Sequence, residues 1–304
     1  MFTPKVWTQS EWHDYLAIRN SKLPALPVVT ELSAEVVRIL GGNPGDMQLQ
    51  GTNTYLVGSG QTRILTDTGQ GCQLWIETLV NFLKQHHLSI SQVLLTHWHS
   101  DHTGGLRALL CHYPHLEGAI YKADPDRCQN PIDDGQIFAT DGATIQAFFT
   151  PGHSTDHMCF ILEETGAIFT GDNILGHGTS VVVENLGLYL KSIQKMRQRV
   201  HSEGISVGYP GHGAVIEDPT AKLIVYTKHW EVLEKAVYST FMGGSSKERA
   251  LLTAREVTSR LYGTALEMMV GPFITQVLYK LAEQGELAFT VVGGPEKKWF
   301  VLRR

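Results

Sequence analysis

The hydrophobic residues of the first two thirds of the chain fall into short runs, most of them five to eight residues long. The runs are VVRIL, TNTYLV, RILTD, QVLLTH, ATIQAFFT, MCFILE, AIFTGD and ISVGYPG. Most end at Gly, Asp, Asn or Pro, which is typical of β-strands closed by loops. Between some of these runs, apolar residues follow the 3, 4 spacing of an amphipathic helix. These helical positions are Leu74, Ile76, Leu79, Val80 and Leu83, and then Leu186, Leu190, Ile193 and Met196. The pattern predicts a sheet-rich, layered α/β domain over residues 35 to 215.

The last third of the chain has a different pattern. A helical segment over about 219–241 leads to MGGSSKE, a Gly/Ser-rich break typical of a linker. Two helical segments, TAREVTSRLYG and PFITQVLYKLAEQGE, and two strand-like runs, LAFTVV and KWFVLR, follow the break. Helix, helix and hairpin predict a winged-helix-like C-terminal module over 246–304, after a catalytic domain over 1–245.

Charge and composition narrow the functional classes. The chain has 304 residues, 42% of them hydrophobic, and a net charge of -5. Residues 246–304 carry a net charge of +3 and the remainder carries -8, so the larger domain fits nucleic acid poorly. The apolar stripe around Lys280 in the second C-terminal helix favours a core or partner face over a nucleic-acid recognition helix. That stripe consists of Phe273, Ile274, Val277, Leu278 and Leu281.

Two further features concern the location of the chain and its cysteines. The N-terminus has no apolar segment of the length of a secretory signal, and no later run reaches about 18 apolar residues, so we expect a cytoplasmic protein without a membrane span. The four cysteines have no C-x-x-C spacing, and we expect buried free thiols. They are Cys72, Cys111, Cys128 and Cys159.

Metal-capable side chains collect where the predicted strands end. The segment THWHSDHTGG follows one strand, and three more strands lead to His153, Asp172 and His212. Imidazole nitrogens and carboxylate oxygens are ligands of divalent transition metals. In an extended segment His97 and His99 project to the same side, whereas Asp101 and His102 lie past a bend. One metal ion therefore cannot easily take all four side chains of HWHSDH.

Seven ligands suffice for two metal ions that share one carboxylate. We assign His97, His99 and His153 to the first ion, Asp101, His102 and His212 to the second, and Asp172 to a bridging position. Two ions about 3.5–4 Å apart can hold a hydroxide between them and stabilise the oxyanion that it creates. The sequence favours zinc and leaves manganese, or a mixture, open. Glycines beside the ligands would let backbones crowd a small site; they are Gly104, Gly105, Gly152, Gly171 and Gly211.

The motifs THWHSDHTGG, TPGHSTDH, FTGDN and YPGHG, in this order and at these separations, resemble the metallo-β-lactamase superfamily. The resemblance covers roughly residues 35 to 216. It implies an αββα sandwich with a dinuclear metal site, the same ligand assignment, and a role for Asp101 in proton transfer.

Longer segments resemble one branch of that superfamily. LGGNPGDMQLQGTNTYLVGSG, HMCFILEETGAIFTGDNILGHGTS and the C-terminal tail are similar to a branch with mitochondrial lactamase-like endoribonucleases and fungal thioesterases that release aromatic polyketides. IYKADPDRCQNPIDDGQIF and GDNILGHGT look more like the thioesterases. The resemblance therefore implies hydrolysis of a polyketide from the acyl carrier protein of a partner synthase.

The chemistry of the substrate also favours a thioester. Its leaving thiolate has a pKa of about 8.5 and departs with little help, whereas a phosphodiester is anionic and its binding requires Lys and Arg contacts. Our leading hypothesis is a metal-dependent thioesterase in which the bridging hydroxide attacks the thioester carbonyl. The alternative is a single-strand-specific endoribonuclease on the same metals. Hydrolysis of small thioesters by a glyoxalase-like enzyme and a noncatalytic scaffold rank lower.

Candidate substrate contacts are fewer and less specific than the metal ligands. We predict that His177, in GDNILGHGT, lines the substrate pocket, with a hydrogen bond to backbone as the alternative. Asn53 and Tyr55, in GTNTYLV, are candidate substrate contacts or a structural strand start. We expect His157 to be a partner of a metal ligand, and Trp98 to pack beneath the site.

Overall fold

Two β-sheets packed face to face form the centre of the molecule. The structure is a computed structural model, and it describes residue 8, residue 16 and residues 19–242, 250–291, 294 and 296–302. The first sheet has seven strands in chain order: β1 (Val29–Glu31), β2 (Val36–Leu40), β3 (Asn53–Val57), β4 (Thr62–Thr66), β5 (Ser89–Leu94), β6 (Ile120–Lys122) and β7 (Asn130–Pro131). The second sheet has five strands, in the spatial order β12 to β8: β8 (Ile137–Thr140), β9 (Ala143–Phe149), β10 (Met158–Leu162), β11 (Ala167–Gly171) and β12 (Val207–Pro210).

Helices cover the outer face of each sheet. The helices are α1 (Gln73–His86), α2 (Ser100–Thr103), α3 (Leu106–His112), α4 (Leu186–Ser202), α5 (Pro219–Ser239), α6 (Ala254–Tyr262) and α7 (Glu267–Glu283). Residues of α1 and α3 pack with the first sheet, and those of α4 and α5 pack with the second. A third apolar cluster joins the facing sides of the two sheets. Helix, sheet, sheet and helix therefore form four layers, and the predicted αββα sandwich is confirmed.

The buried face of α1 differs from the predicted one by one residue. Leu74 is 52% exposed, whereas Trp75 is fully buried. The indole Nε1 of Trp75 donates to Thr54 Oγ1 at 2.9 Å, so the tryptophan can enter the core with its polar atom paired. The apolar spacing in the sequence is compatible with either residue on the buried face of α1. In the structure the larger side chain, Trp75, is the one that faces the sheet.

The cysteines agree only in part with the expectation of buried free thiols. All four are free, but Cys111 and Cys128 are exposed and Cys72 is half-buried. Cys159 is buried, and burial raises the pKa of its thiol to about 12. Within the described chain, only Cys159 has the environment that we expected for all four.

The C-terminal module contains the predicted helix, helix and hairpin, with one additional strand. Strand β13 (Leu252–Thr253) pairs with β15 (Lys298–Val301), which also pairs with β14 (Leu287–Thr290). Thr253 and Glu256 form a capping box at the start of α6, which fixes where that helix begins. The winged-helix-like arrangement stays a prediction, and the predicted linker around 245/246 lies largely outside the described residues.

The apolar stripe of α7 belongs to the core, as the sequence favoured. Ile274, Val277, Leu278 and Leu281 are buried in the same apolar cluster as α4 and α5. Lys280 forms an ion pair with Glu234 of α5, so the ammonium group already has an anionic partner within the fold. The module and the larger domain therefore share one continuous core. No helix in the described ranges is both long and apolar enough to cross a bilayer.

Candidate metal centre

Strand direction brings the predicted ligands to one place. Strands β9, β11 and β12 run in the same direction, because β10 is antiparallel to both β9 and β11 and β12 is parallel to β11. Their C-terminal ends lead to His153, Asp172 and His212, respectively. In the facing sheet, β5 leads to His97, and the short helix α2 carries Asp101 and His102. Four loops from two sheets therefore meet at one edge of the sandwich.

The structure brings all seven predicted ligands together in three overlapping groups of donor atoms, one of which (His97, His102 and Asp172) joins the two predicted sets. His97, His99 and His153 form one cluster, with His99 Nδ1 2.9 Å from His97 Nε2 and 3.1 Å from His153 Nε2. Asp101, His102 and His212 form a second cluster, with His212 Nε2 3.2 Å from Asp101 Oδ2. Each cluster places its donor atoms within 4.8 Å of one another. The two clusters are below called the first and second triads.

Asp172 lies between the two triads. Its Oδ2 is 3.7 Å from His153 Nε2 in the first triad and 3.3 Å from His212 Nε2 in the second. Its Oδ1 is 3.4 Å from His102 Nε2. A Cβ at Gly211 would lie 2.3 Å from that same oxygen, so glycine is required for the loop to approach the carboxylate. This position is the one that a bridging ligand would occupy.

The donor set fits divalent metal ions on structural grounds. Two buried polar atoms, His102 Nε2 and Asp172 Oδ1, have no hydrogen-bond partner within the described part of the chain. Burying such atoms unpaired is costly unless something else binds them. Five of the seven ligands are buried, while His99 and Asp101 are partly exposed and face the opening of the site.

The protonation states of the triads differ. Burial and the neighbouring imidazoles hold the pKa of His97 well below its usual range, and burial lowers that of His153 to about 4. Burial acts against the charged form of His212 too, but Asp172 and Asp101 raise its pKa to about 9. Burial acts against the charged form of Asp101 too, but the hydrogen bond from His212 and the charges of His102 and His212 together lower its pKa to about 2. Without metal, the first triad is therefore neutral and the second holds ion pairs.

Asp67, which our sequence interpretation missed as a site residue, positions ligands of both triads. It follows β4 with a φ of 59°, and its Oδ2 accepts from His102 Nδ1 at 2.7 Å. Thr96 donates its backbone N–H to Oδ1 at 2.8 Å and its hydroxyl to Oδ2 at 2.9 Å. The Thr96 hydroxyl oxygen can then accept from His97 Nδ1, 2.9 Å away. The signal was present in the sequence, because RILTD ends at an aspartate as the other site-forming strands end at ligands.

His157 also has a positioning role, on the other side of the centre. Its Nε2 accepts from the backbone N–H of Asp172 at 3.0 Å, and its Nδ1 lies 3.1 Å from Thr150 Oγ1. The side chain is fully buried. His157 thus holds the backbone of the central carboxylate, in keeping with the expected contact to a metal ligand.

The structure places two of the predicted substrate residues elsewhere. Asn53 donates to the carbonyl oxygens of Pro210 at 2.8 Å and Gly213 at 2.9 Å, and Tyr55 Oη donates to Pro210 O at 2.6 Å. Both side chains are buried, at 1% and 3% exposure. They bracket the loop that carries His212, which agrees with the alternative of a structural strand start; a substrate contact stays a prediction.

The two remaining predictions near the site have different outcomes. His177 is half-buried beside Gly213, and its buried Nε2 has no hydrogen-bond partner among the described residues. Its role as a substrate contact stays a prediction. Trp98 was expected beneath the site, which is wrong: it is 51% exposed, and its Nε1 donates to Glu184 Oε1 at 2.9 Å. It lies on a bend between two of the predicted ligands.

Comparisons with known proteins agree with this geometry. Residues 48–203 match the family model described as metallo-beta-lactamase superfamily. The chain belongs to the metallo-β-lactamase superfamily. It is a hydrolase of the metallo-β-lactamase fold, and its resemblance to the superfamily at the motif level is thereby confirmed.

Individual relatives extend over almost the whole chain. An atrochrysone carboxyl ACP thioesterase from Aspergillus chevalieri is 48% identical over 297 residues, which cover 96% of this chain and 94% of that protein. Lactamase-like protein nscB from Aspergillus fumigatus is 45% identical over 312 residues, covering 98% and 93%. The crystal structure of a metallo-beta-lactamase family protein from Thermus thermophilus superposes with a TM-score of 0.67 at 21% identity, covering 90% of this chain and all of that one. This last similarity concerns the fold alone.

Proposed function

We propose that the protein is a metal-dependent thioesterase that releases a polyketide acyl chain from the acyl carrier domain of a partner synthase. The observation that carries the hydrolytic part is the convergence of two triads on Asp172. The thioester part is supported by the 48% identical relative that is named an ACP thioesterase. We further propose that the protein works in the cytoplasm, where it would meet its partner synthase.

The two triads and Asp172 would hold two divalent metal ions. The imidazole-rich donor set favours zinc, with manganese as the second choice. Bound there, the metal ions would supply an activated water molecule and an electrophilic site for the substrate carbonyl oxygen. Five of the seven ligands are buried, whereas His99 and Asp101 are partly exposed, so the thioester would enter from the side of these two residues.

Asp101 is the residue that we propose moves a proton. Its carboxylate is partly exposed at the opening, and with a pKa of about 2 it is ionised throughout the neutral pH range. In that form the carboxylate can accept a proton from the attacking water. The leaving thiolate requires little assistance, because an ordinary thiol has a pKa of only about 8.5.

The charges of the chain argue against RNA as the substrate. The larger domain carries a net charge of -8, and Lys280 in the apolar helix α7 is paired with Glu234. Nucleic-acid binding depends on unpaired Lys and Arg contacts to phosphates. An acyl thioester places no such requirement on the surface around the centre.

The test compares two substrates with the same metal-loaded protein. Zinc-loaded protein is incubated with an acyl carrier thioester and with single-stranded RNA, and released thiol and cleaved RNA are measured. We expect thioester hydrolysis, intact RNA, and loss of hydrolysis after treatment with a chelator. RNA cleavage without thioester hydrolysis would refute the proposal.

The variant His97→Ala tests the centre itself. We expect loss of bound metal and a decrease in kcat/KM of more than about a hundredfold, because a direct ligand matters more than the partners that orient it. His201→Ala is the matched control, since His201 is exposed near the end of α4. Full activity in His97→Ala would show that the triads are not the reaction centre.

A further inference from the structure

A cavity of about 500 Å³ lies between the larger domain and the C-terminal module. Its floor comes from α5, its opposite wall from α6, α7 and the turn between them, and its edges from the loops around Met47 and Ser180. Small-molecule sites commonly enclose about 300–1,000 Å³ and are mostly apolar. The apolar lining includes Trp230, Leu233, Tyr262, Leu266, Val270 and Phe273.

The cavity adjoins both triads through its two edge loops. Met47 lines the cavity, and the next residue, Gln48, donates from Nε2 to Asp101 Oδ2 at 3.4 Å. On the other edge, Val181 lines the cavity, and its carbonyl oxygen accepts from His153 Nδ1 at 2.7 Å. Ser180, a third lining residue, places Oγ 3.2 Å from the same nitrogen. The loops at two edges of the cavity therefore each hydrogen-bond a member of one triad.

The lining indicates what kind of group would occupy the cavity. Indole, phenol and phenyl rings of Trp230, Tyr262 and Phe273 come from three different helices or helix ends. Ring faces favour flat, unsaturated groups by stacking or edge contact. Polar side chains form the smaller part of the lining. One of them, Arg19, already donates to the carbonyl oxygen of Asp46 at 2.8 Å. Flat rings with few polar substituents match this distribution better than a charged ligand does.

We propose that this cavity binds the acyl chain of the substrate, as fused or folded aromatic rings, while the thioester carbonyl lies at the metal centre. This inference rests on the proposed thioesterase function and adds to it a specificity site. Residues of the C-terminal module, above all Val270 and Phe273, then determine which acyl chains fit. The module acts as one wall of the active site.

The test fills the cavity from the module side. Val270→Trp introduces a large ring into the space, and Val225→Trp makes the same exchange at a position that is 56% exposed and does not line the cavity. The substrates are naphthoyl-pantetheine and acetyl-pantetheine, with thiol release as the readout. We expect Val270→Trp to lower kcat/KM for the naphthoyl thioester at least about tenfold, with the acetyl thioester changed less than about twofold. Val225→Trp should change neither value.

A binding measurement separates this inference from the proposed function. The probe is the naphthoyl ketone analogue in which a methylene group replaces the thioester sulfur, titrated by calorimetry. The native protein could bind the ketone, with Val270→Trp weakening this binding at least about tenfold, and yet hydrolyse no thioester. That result would support the cavity as a binding site for aromatic rings and refute the thioesterase function. The cavity assignment would be overturned if Val270→Trp hydrolysed both thioesters with the same kcat/KM values as the native protein. It would also be overturned if the native protein did not bind the ketone.

A second variant guards against a folding defect. Met269 also lines the cavity but is 46% exposed, so Met269→Trp is easier to accommodate than an exchange at a more buried position. Circular dichroism and thermal unfolding establish that each variant is folded. If Val270→Trp does not fold, the same discrimination between naphthoyl and acetyl substrates is expected from Met269→Trp, and its absence there overturns the inference.

Discussion

Asp67→Asn is the sharpest test of how the chain prepares its metal ligands. In the native protein, Asp67 Oδ2 accepts from His102 Nδ1 at 2.7 Å, which keeps a proton on Nδ1 and directs Nε2, the atom that would bind metal, at the second triad. Asparagine has nearly the same shape and retains one oxygen for the backbone N–H of Thr96. Its amide nitrogen, however, would face His102 Nδ1 as a second donor.

In this orientation the imidazole relieves the conflict by moving its proton to Nε2, where metal would bind; a flip of the amide would instead place its nitrogen against the backbone N–H of Thr96. Loss of such an orienting partner typically weakens metal binding about 10–100-fold, which corresponds to about 1.4–2.8 kcal/mol. We expect this loss at the second triad. A smaller loss should occur at His97, which is linked to Asp67 through the Thr96 hydroxyl.

The assay is a competition titration of zinc against a chromophoric chelator, which resolves the two binding events, followed by thioester hydrolysis. Asp141→Asn is the matched control, because Asp141 is an exposed carboxylate that accepts from the backbone N–H of Thr62 at 3.3 Å, away from the triads. If Asp67→Asn is folded and binds both zinc ions within about twofold of the native affinities, the proposed control of the His102 tautomer is refuted.

Two further predictions concern the loops that carry the ligands. Tyr55→Phe removes the 2.6 Å bond to Pro210 O and should lower the free energy of unfolding in urea by about 0.5–1.5 kcal/mol, with weaker zinc binding through His212; unchanged zinc affinity would contradict a positioning role. Gly152→Ala would place a Cβ 2.2 Å from Tyr189 N at a φ of 134°, so we expect a loss of more than about 3 kcal/mol from strain and overpacking combined. Gly118→Ala, at a φ of 85° with no atom within 4 Å of the Cβ, should cost only about 1–2 kcal/mol in the same assay, and equal losses in the two variants would refute the packing argument.

The gathering of the candidate metal ligands could be predicted from sequence because strand ends and ligand types are both local signals. QVLLTH, AIFTGD and their counterparts each combine a buried strand with a metal-capable residue, and parallel strands deliver their ends to one edge. The layered fold could be predicted from the same runs. Both predictions depend only on residues that are near one another in the chain.

The positioning contacts could not be predicted in this way, because they join residues far apart in sequence. Tyr55 and Asn53 reach Pro210 across more than 150 residues, and Asp67 reaches His102 across 35. A polar residue at a strand start looks the same in sequence whether it faces substrate or another loop. Trp98 was predicted wrongly for the same reason. Its position between two ligands in the sequence does not reveal that it hydrogen-bonds Glu184, 86 residues away.

The second nitrogen of three imidazoles in the triads explains how the candidate centre orients its donor atoms. His97, His102 and His153 each have Nδ1 within 2.9 Å of an oxygen that belongs to Thr96, Asp67 or Val181. Those contacts leave Nε2 of each ring directed at the centre. Because one of the three oxygens belongs to the loop at 179–181 that also lines the apolar cavity, ligand orientation and the cavity are linked through a single segment.

The described hydrogen bonds from α7 reach the larger domain at Val183 and Glu234, not at a ligand. Substitutions in the module should therefore alter the cavity while the contacts of the two triads stay intact.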